Sequence, residues 1–272
     1  MEKEIFSVAD ICAMKSLENF SPKLIETTVI KRMKELKIDT AKQYEEILER
    51  SGEESVLFLA LLNNGYSEFF REPFAFALLE SRVLPDIFNS KKDSREIRMW
   101  SVGCSAGQEP YSILMLAREV SELFKSKMRL HMYATDISNQ ALDRARYGIY
   151  NRNELKKVPL GYLDDHFDQT GNAYRIAPDI KNSVDFLYYD ILDQNTVSPP
   201  ESIYGHFDLI ICSNLLIYYN DKAQRFIINK LIKALSPGGY LVVGEAEKAI
   251  LSKQMGITAV VKSGPVSKKT IV

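Results

Sequence analysis

A glycine loop and a carboxylate follow two apolar runs of the sequence. The first run (97–102) meets a loop with Gly103 and Gly107, after which a helix with three- and four-residue apolar spacing begins. The second run (130–136) ends in Asp136. Glycine permits backbone conformations and close approach to a ligand that a Cβ would block, and a carboxylate after the second strand can accept both hydroxyls of a ribose. The pattern favours a ribose-bearing ligand over an ordinary tight turn.

Further apolar runs indicate which elements must position these residues. Strands are predicted at 184–191, ending near Asp190, at 207–214, ending in Ser213 and Asn214, and at 240–246. An amphipathic helix is predicted at 221–235, and a closing hairpin surrounds Gly264 and Pro265. Apolar strands that alternate with amphipathic helices predict an α/β fold whose mainly parallel sheet is covered on both faces.

A dehydrogenase and a methyltransferase are the two candidate enzyme classes for such a sheet, and the loop spacing separates them. A dinucleotide-dependent dehydrogenase would show GxGxxG, with an acidic residue about 20 residues further on. Here Gly103 and Gly107 are four residues apart, and Asp136 lies 29 residues after Gly107. A five-strand sheet that ends in an antiparallel hairpin fits a class I S-adenosylmethionine-dependent methyltransferase, a Rossmann-like fold, better than it fits a dehydrogenase.

The remaining segments predict two additions to this sheet. Residues 1–75 show helical periodicity without strands, which predicts a small all-α N-terminal domain before a methyltransferase domain at 76–272. An insertion at about 148–183 contains a Gly171-Asn172 turn between short extended runs, so a small antiparallel β-subdomain is expected there.

Composition limits the function. The 272 residues carry a formal net charge of −1, so no overall basic field favours nucleic acid or a membrane. No apolar run reaches about 18 residues, and the charged start of the chain predicts no signal peptide. The three cysteines (Cys12, Cys104 and Cys212) lack CxxC spacing, which indicates a reducing cytoplasm, no disulfide framework and no metal site. We expect Cys104 and Cys212 to be small buried apolar residues.

Six short motifs in order carry a resemblance to one family. They are SEFFREP (67–73), GQEPYS (107–112), ATDIS (134–138), ARYGIY (145–150), NLLIYY (214–219) and LSPGG (235–239). Together they resemble the CheR-type chemotaxis receptor methyltransferases, from about residue 20 to the C-terminus. The resemblance implies a cytoplasmic bacterial enzyme that methylates glutamate side chains of chemoreceptors. Its cofactor would be S-adenosylmethionine, with S-adenosylhomocysteine as product.

The resemblance also implies which residues bind the cofactor. Asp136 would hold the ribose, Asp190 and Ile191 would flank the adenine, and Ser213 and Asn214 would lie at the methionine end. The other implied cofactor residues are Ser67, Arg71, Gly103 and Glu109. Four positions depart from the family pattern, and three of them are substitutions of one polar residue by another: Ser67 replaces a threonine, Gln108 a second glutamate, and Ser213 an arginine. Gly65 stands where an asparagine is usual, which leaves that contact to Asn64 or removes it.

Arg71 and Tyr218 are the predicted catalytic pair. A glutamate carboxylate has an ordinary pKa of about 4.3 and is ionised at neutral pH, so methyl transfer to it needs no general base. It needs donors that aim the carboxylate, together with exclusion of water. Arg71 offers a bidentate fork to a carboxylate of either substrate or cofactor, and Tyr218 a single phenolic donor. Taken alone, Arg71 would suit a salt bridge and Tyr218 core packing.

The expected partner is the cytoplasmic helical domain of a chemoreceptor, contacted by a monomer without membrane insertion or nucleic acid. The helix from Pro22 carries Lys23, Lys31, Arg32, Lys34 and Lys37, which form either a solvated face or a docking surface for an acidic helical bundle. Relatives that bind a receptor's C-terminal pentapeptide by strand addition carry a longer, glycine-richer loop than 168–173, so no tether is expected. The alternatives are a methyltransferase for nucleic acid or amines, one for another protein or small-molecule carboxylate, and a non-catalytic cofactor-binding scaffold.

Overall fold

The computed structural model describes residues 11, 14, 17–63, 65–92, 94–202, 205–252 and 254–271. They fall into two compact units: the described residues of Met1–Asn64 with Leu216–Phe226, and Gly65–Leu215 with Ile227–Val272. The predictions for the start of the chain, Cys12 and Asn64 lie outside the described residues. The predicted domain boundary at residue 75 stays a prediction.

The first unit is helical. Thr40 begins the second helix with a capping box, because its side chain accepts from the backbone of Gln43 and the Gln43 side chain accepts in return. Ser51 caps the third helix by accepting from Glu54 N. A 3-10 turn (Leu216–Tyr218) also belongs to this unit. The helices are α1 (Pro22–Leu36), α2 (Ala41–Arg50) and α3 (Gly52–Leu62). Their apolar faces bury Ile25, Val29, Tyr44, Phe58 and Leu62 in one core.

A charged cluster within this unit changes how α1 is interpreted. The Arg32 guanidinium donates to both carboxylate oxygens of Glu54, at 2.8 and 2.6 Å, and the Tyr44 hydroxyl donates to the same carboxylate at 2.7 Å. Hydrogen bonding from Arg32 holds the pKa of Glu54 below its usual value. Arg32 is therefore a structural residue, whereas Lys23, Lys31, Lys34 and Lys37 are exposed.

The second unit contains the sheet. Its strands are β1 (Glu96–Val102), β2 (Arg129–Asp136), β3 (Ile149–Asn151), β4 (Phe167–Thr170), β5 (Ala173–Ile176), β6 (Val184–Tyr188), β7 (Phe207–Cys212), β8 (Leu235–Val243), β9 (Ile257–Ala259) and β10 (Val266–Lys269). Its helices are α4 (Pro73–Leu78), α5 (Leu84–Ser90), α6 (Gln108–Leu123), α7 (Asn139–Tyr147), α8 (Leu160–His166), α9 (Pro178–Lys181), α10 (Asp221–Ala234) and α11 (Lys248–Leu251), with a π-helical turn (Leu79–Val83) between α4 and α5 and a 3-10 turn at Pro200–Ser202. The residues of α10 up to Phe226 group with the first unit.

Seven strands form the main sheet in the order β6-β2-β1-β7-β8-β10-β9. The pairs from β6 to β8 are parallel, and β10 pairs antiparallel with both β8 and β9. The predicted mainly parallel sheet with a C-terminal antiparallel hairpin is confirmed. Strand order reverses between β1 and β7, and ligands of such sheets bind outside the carboxyl ends of strands at this reversal.

The strand ends differ from the sequence expectation at several places. β6 ends at Tyr188, so Asp190 and Ile191 lie in the following loop, and β7 ends at Cys212. β8 begins at Leu235 directly after α10, whereas the sequence predicted a strand start at 240. A shift in register between Phe207 and Leu209 lets the stretch 236–239 bulge out of the ladder. Buried residues continue past the last hydrogen-bonded residue of β6, because Tyr189 and Ile191 are buried although they lie outside that strand.

The predicted insertion is a separate three-stranded antiparallel sheet in the order β3-β5-β4. Its β4–β5 turn has two residues, with Gly171 at a φ of 62°. Phe167, Tyr174 and Ile176 are buried in the core of the second unit. The insertion therefore packs on the sheet domain through apolar side chains.

Candidate functional site

The loop after β1 is held in a conformation that places its backbone close to neighbouring groups. Gly103, Ser105 and Gly107 have φ values of 71°, 49° and 90°. A Cβ at Gly103 would lie 3.0 Å from Leu215 Cδ1, and one at Gly107 would lie 3.0 Å from the Ala145 Cβ. The positive φ favours glycine at both positions, and the surroundings of Gly107 leave little room for a Cβ.

Asp136 connects this loop to the next helix. Its Oδ2 accepts from Ser105 N at 2.8 Å and its Oδ1 from Ser138 N at 2.9 Å, while the Ser138 hydroxyl caps α7. Burial raises the pKa of Asp136, and the backbone N–H groups oppose that shift by stabilising the anion. Each carboxylate oxygen has a second lone pair, so the group can still accept two ribose hydroxyls.

Glu109 lies in the first turn of α6. The hydroxyls of Ser101, at 2.7 Å, and of Ser213 donate to its carboxylate. Burial, together with repulsion from Glu247, raises the pKa of Glu109 to about 7, although Ser101, Ser213 and Arg71 act in the opposite direction. This carboxylate can therefore gain or lose a proton near neutral pH, and a cationic ligand group would favour the ionised form.

Asn214 donates hydrogen bonds to two acidic residues, Glu247 and Glu72, that the sequence pattern does not predict as part of the site. Its φ is 57°, its N donates to Glu247 Oε2 at 2.9 Å, and its Nδ2 donates to Glu72 Oε1 at 3.0 Å. Glu247 is fully buried and also accepts from Gly244 N at 2.8 Å. The sequence signal that could have revealed Glu247 is an acidic residue soon after the apolar strand 240–243.

Arg71 is half-buried in the segment before α4. Its Nη1 donates to the carbonyl of Tyr66 at 2.6 Å, and its guanidinium lies 5.7 Å from the Tyr66 ring centroid. Throughout the part of the chain that the structure describes, Arg71 forms no ion pair with a carboxylate. Ser67, also half-buried, lies four residues before it.

The loop after β6 is supported by a buried lysine, Lys230, that the sequence pattern does not predict as part of the site. The buried Lys230 ammonium donates to the carbonyls of Ile191 at 2.9 Å and Asp193 at 2.5 Å. Asp190 Oδ1 accepts from Leu192 N at 2.9 Å, which fixes the turn from within. Lys230 thus shapes the loop that holds the predicted adenine residues.

The predicted site residues divide between the two units. Tyr218 belongs to the first unit, where it is half-buried and its carbonyl accepts from Ser21 N at 2.8 Å. The second unit holds the other nine: Ser67, Arg71, Gly103, Glu109, Asp136, Asp190, Ile191, Ser213 and Asn214. Contacts tie Glu109 to Ser213 and connect Asp136 to the glycine loop. Cys104 and Cys212 are buried free thiols, as expected.

The model of the CheR methyltransferase family's S-adenosylmethionine-binding domain matches residues 65–263, well over half of the chain. The chain belongs to the CheR methyltransferase family. The match begins where the second unit begins and covers all nine candidate residues of that unit. S-adenosylmethionine is the cofactor of this family domain.

Named relatives of the CheR type align with most of the chain. The chemotaxis protein methyltransferase of Escherichia coli is 31% identical over 82% of this chain and 76% of that protein. That of Borreliella burgdorferi is 29% identical over 82% of this chain and 79% of that protein. The probable biofilm formation methyltransferase WspC of Pseudomonas aeruginosa is 30% identical over 85% of this chain. The chain spans 53% of WspC and 64% of Cher2 from Pseudomonas putida.

Among solved structures, PKMT2 from Rickettsia typhi in complex with AdoHcy is 17% identical over 66% of this chain and 26% of that chain. Its TM-score is 0.36.

The carboxylates of the CheR domain fit the polar and charged groups of S-adenosylmethionine. Asp136 can accept the ribose hydroxyls, and Glu109 can neutralise a cationic group because its carboxylate ionises near neutral pH. The described residues contain no cluster of three potential metal ligands. None of the helices in the described ranges has the length and apolar character needed to cross a membrane.

Proposed function

We propose that this chain transfers a methyl group from S-adenosylmethionine to glutamate side-chain carboxylates of a chemoreceptor. The observation that carries the proposal is the Arg71 guanidinium, which is half-buried, anchored by one nitrogen and in no ion pair with a carboxylate of the described chain. Its remaining donors are available for an anionic ligand, and a planar fork matches a carboxylate. The names of the relatives support chemoreceptors as the source of that carboxylate.

The reaction requires orientation more than acid–base chemistry. When bound, S-adenosylmethionine supplies a methyl group on a positively charged sulfur, and a carboxylate oxygen forms the new C–O bond as the C–S bond breaks. The glutamate nucleophile is already ionised at neutral pH, so no residue needs to remove a proton. Arg71 orients a carboxylate, and the sequence predicts one further donor to the nucleophile at Tyr218. Donors of this kind restrict the approach to an in-line geometry, which is where most of the acceleration can arise.

The remaining site residues hold the cofactor. Asp136 accepts from the ribose, Glu109 faces the positive charge at the methionine end, and Asn214 presents its backbone there. The loop at Asp190 and Ile191 flanks the adenine, and Lys230 supports that loop by donating to the Ile191 carbonyl. Glu247 and Glu72 act through Asn214, because both hold it in its left-handed conformation.

We also propose how the receptor is recognised. The chain acts in the cytoplasm as a monomer on the helical domain of the receptor, without a pentapeptide tether. The two-residue turn at Gly171 and Asn172 supports this view, since it is short for a loop that must present pockets to a peptide. Three exposed lysines of α1 (Lys23, Lys31 and Lys34), together with Lys37 directly after it, offer a positive surface to an acidic helical bundle.

A methyl-transfer assay with radiolabelled S-adenosylmethionine tests the proposal. The substrates are cytoplasmic fragments of host chemoreceptors, and the readout is label that mild alkali releases as methanol, as expected of a carboxyl ester. Alkali-stable label would indicate transfer to nitrogen. Cofactor binding without transfer to any receptor fragment would favour the non-catalytic scaffold.

A pair of arginine variants makes the assay specific. Arg71→Lys keeps the charge but loses the planar fork, so turnover should fall by at least about tenfold, or 1.4 kcal/mol. Arg118→Lys is the matched control, because Arg118 lies in the same unit in a partly exposed pair with Asp179. Equal turnover in the two variants would contradict the role of Arg71.

A further inference from the structure

The segment immediately before Arg71 is held by the inserted subdomain. Glu68 forms an ion pair with Lys157. Phe69 is fully buried and packs edge-on against Tyr150, with ring centroids 4.9 Å apart, and against Phe167 at 5.8 Å. Two consecutive residues of the Arg71 segment therefore rest on the insertion at about 148–183.

The next residue, Phe70, depends on a third contact from the same insertion. Its ring stacks on Tyr162 of α8, with centroids 5.4 Å apart and planes 21° apart. Tyr162 stacks in turn on His166, at 5.6 Å and 22°. On the other side, Phe70 N donates to the Ser112 hydroxyl at 3.1 Å. The Phe70 ring also lies against Phe76 of α4, with centroids 4.9 Å apart and planes tilted by 49°. Phe70 is thus held between the insertion and α4 by its ring and by α6 through its backbone, and Tyr162 supplies the stacked face.

The backbone of Phe70 explains why such support is needed. Its φ is 50°, in the left-handed region that bulky side chains rarely adopt. A non-glycine residue keeps this conformation only where the surrounding structure holds it. Because Phe70 and Arg71 are adjacent, a return of Phe70 to a right-handed or extended conformation would swing the Arg71 guanidinium away from its position.

We propose that Tyr162 is a positioning residue for Arg71, and that the inserted subdomain acts as a brace for the Arg71 segment. The proposal rests on the function proposed for Arg71 above. Tyr162 touches neither reacting group in this view; it acts through the ring of Phe70. The subdomain then contributes to catalysis although it contains none of the ten candidate site residues.

Three substitutions on α8 test the brace. Tyr162→Leu keeps apolar volume but removes the flat ring, Tyr162→Phe keeps the ring and removes the hydroxyl, and Leu160→Ala is the control because that side chain is 77% exposed on the same helix. The first measurement is hydrogen exchange of peptides that cover residues 66–72. The second is the separate determination of kcat and KM for methyl transfer.

The brace predicts a defined pattern of results. Tyr162→Leu should speed exchange across 66–72 and lower kcat/KM by roughly 10- to 100-fold, since about 1 Å of misplacement can cost a factor of 100. Thermal unfolding of that variant should remain cooperative. Tyr162→Phe should restore both exchange and turnover to within about twofold of the unmodified protein. Leu160→Ala should change neither.

The two readouts separate this inference from the proposed function. If the unmodified protein transfers no methyl group, the proposed function fails, but faster exchange of 66–72 in Tyr162→Leu would still show the brace. If the unmodified protein is active and Tyr162→Leu retains its exchange and turnover, the brace is refuted. A loss of turnover that Tyr162→Phe does not restore would also refute it, because the ring would then not be the supporting group.

Discussion

Glu109 should make the affinity for S-adenosylmethionine depend on pH. In the free protein, burial and the nearby Glu247 raise the pKa of Glu109 to about 7. A positively charged ligand group beside Glu109 favours the ionised carboxylate and lowers that pKa in the complex. Below pH 7 binding must therefore expel a proton, and affinity falls as pH falls. Above pH 7 the carboxylate is already ionised, and this contribution is constant.

The size of the effect follows from the same pKa. Each pH unit well below about 7 costs up to about tenfold in affinity, and the carboxylate is half ionised at pH 7 itself, so pH 5 should bind up to about 50-fold, or about 2.3 kcal/mol, more weakly than pH 7. Glu109→Gln keeps the size of the side chain and an oxygen that can accept from Ser101. Its affinity should be flat between pH 5 and 7 and should approach that of the unmodified protein at pH 5.

Isothermal titration calorimetry measures this directly. S-adenosylhomocysteine, which keeps the amino group, and S-adenosylmethionine are titrated at several pH values in two buffers of different ionisation enthalpy. At pH 7 about half a proton should be released per site. Glu119→Gln, an exposed position on the same helix, is the control and should keep the full pH dependence. A flat profile with no proton release in the unmodified protein would refute the placement of Glu109 beside the ligand's charge.

Four further predictions concern other parts of the chain. Asp136→Ala should weaken cofactor binding by about 1.5–3 kcal/mol, and unchanged affinity by calorimetry would place the ribose elsewhere. Tyr218→Phe should lower turnover strongly while cofactor affinity stays near that of the unmodified protein, whereas full activity would reduce Tyr218 to packing. Receptor-tail peptides should show no micromolar binding in a titration; such binding, if altering 168–173 abolished it, would contradict tether-free recognition. Glu54→Gln should lower the free energy of unfolding by about 2 kcal/mol at pH 7, because it breaks the buried pair with Arg32. Since the pKa of Glu54 is lowered in the folded state, its stabilisation is present above pH 4.5 and lost as pH falls through the folded value. Denaturant titrations of both proteins should therefore converge at low pH, and a constant difference would sink this account.

Local pattern was sufficient for the elements that form the parallel sheet. The run that became β7 is apolar at nearly every position and is buried along its whole length, which is why its composition predicted a central strand. The same pattern located Asp136, because strand β2 ends at that residue. The apolar pattern predicted the ends of strands less well, because it indicates which residues are buried and not which residues pair in the sheet. Ile191 is buried yet lies outside β6, so the predicted strand ran too long.

The supporting residues of the site depend on contacts between distant parts of the chain. Asn214 meets Glu247 across 33 residues and Glu72 across 142, and Lys230 reaches Ile191 across 39. No local periodicity encodes such pairs, because they exist only once the strands have brought their carboxyl ends together.

The sequence by itself determined the order of the elements, the glycine loop and the acidic residue after β2, since each follows from local composition and backbone preference. Tertiary structure alone decided which charges are paired. Arg32 resembles its lysine neighbours in sequence but is bound to Glu54, whereas Arg71 forms no ion pair in the described chain. It also decided that Glu109 ionises near neutral pH, because burial and a charge from another loop set that pKa.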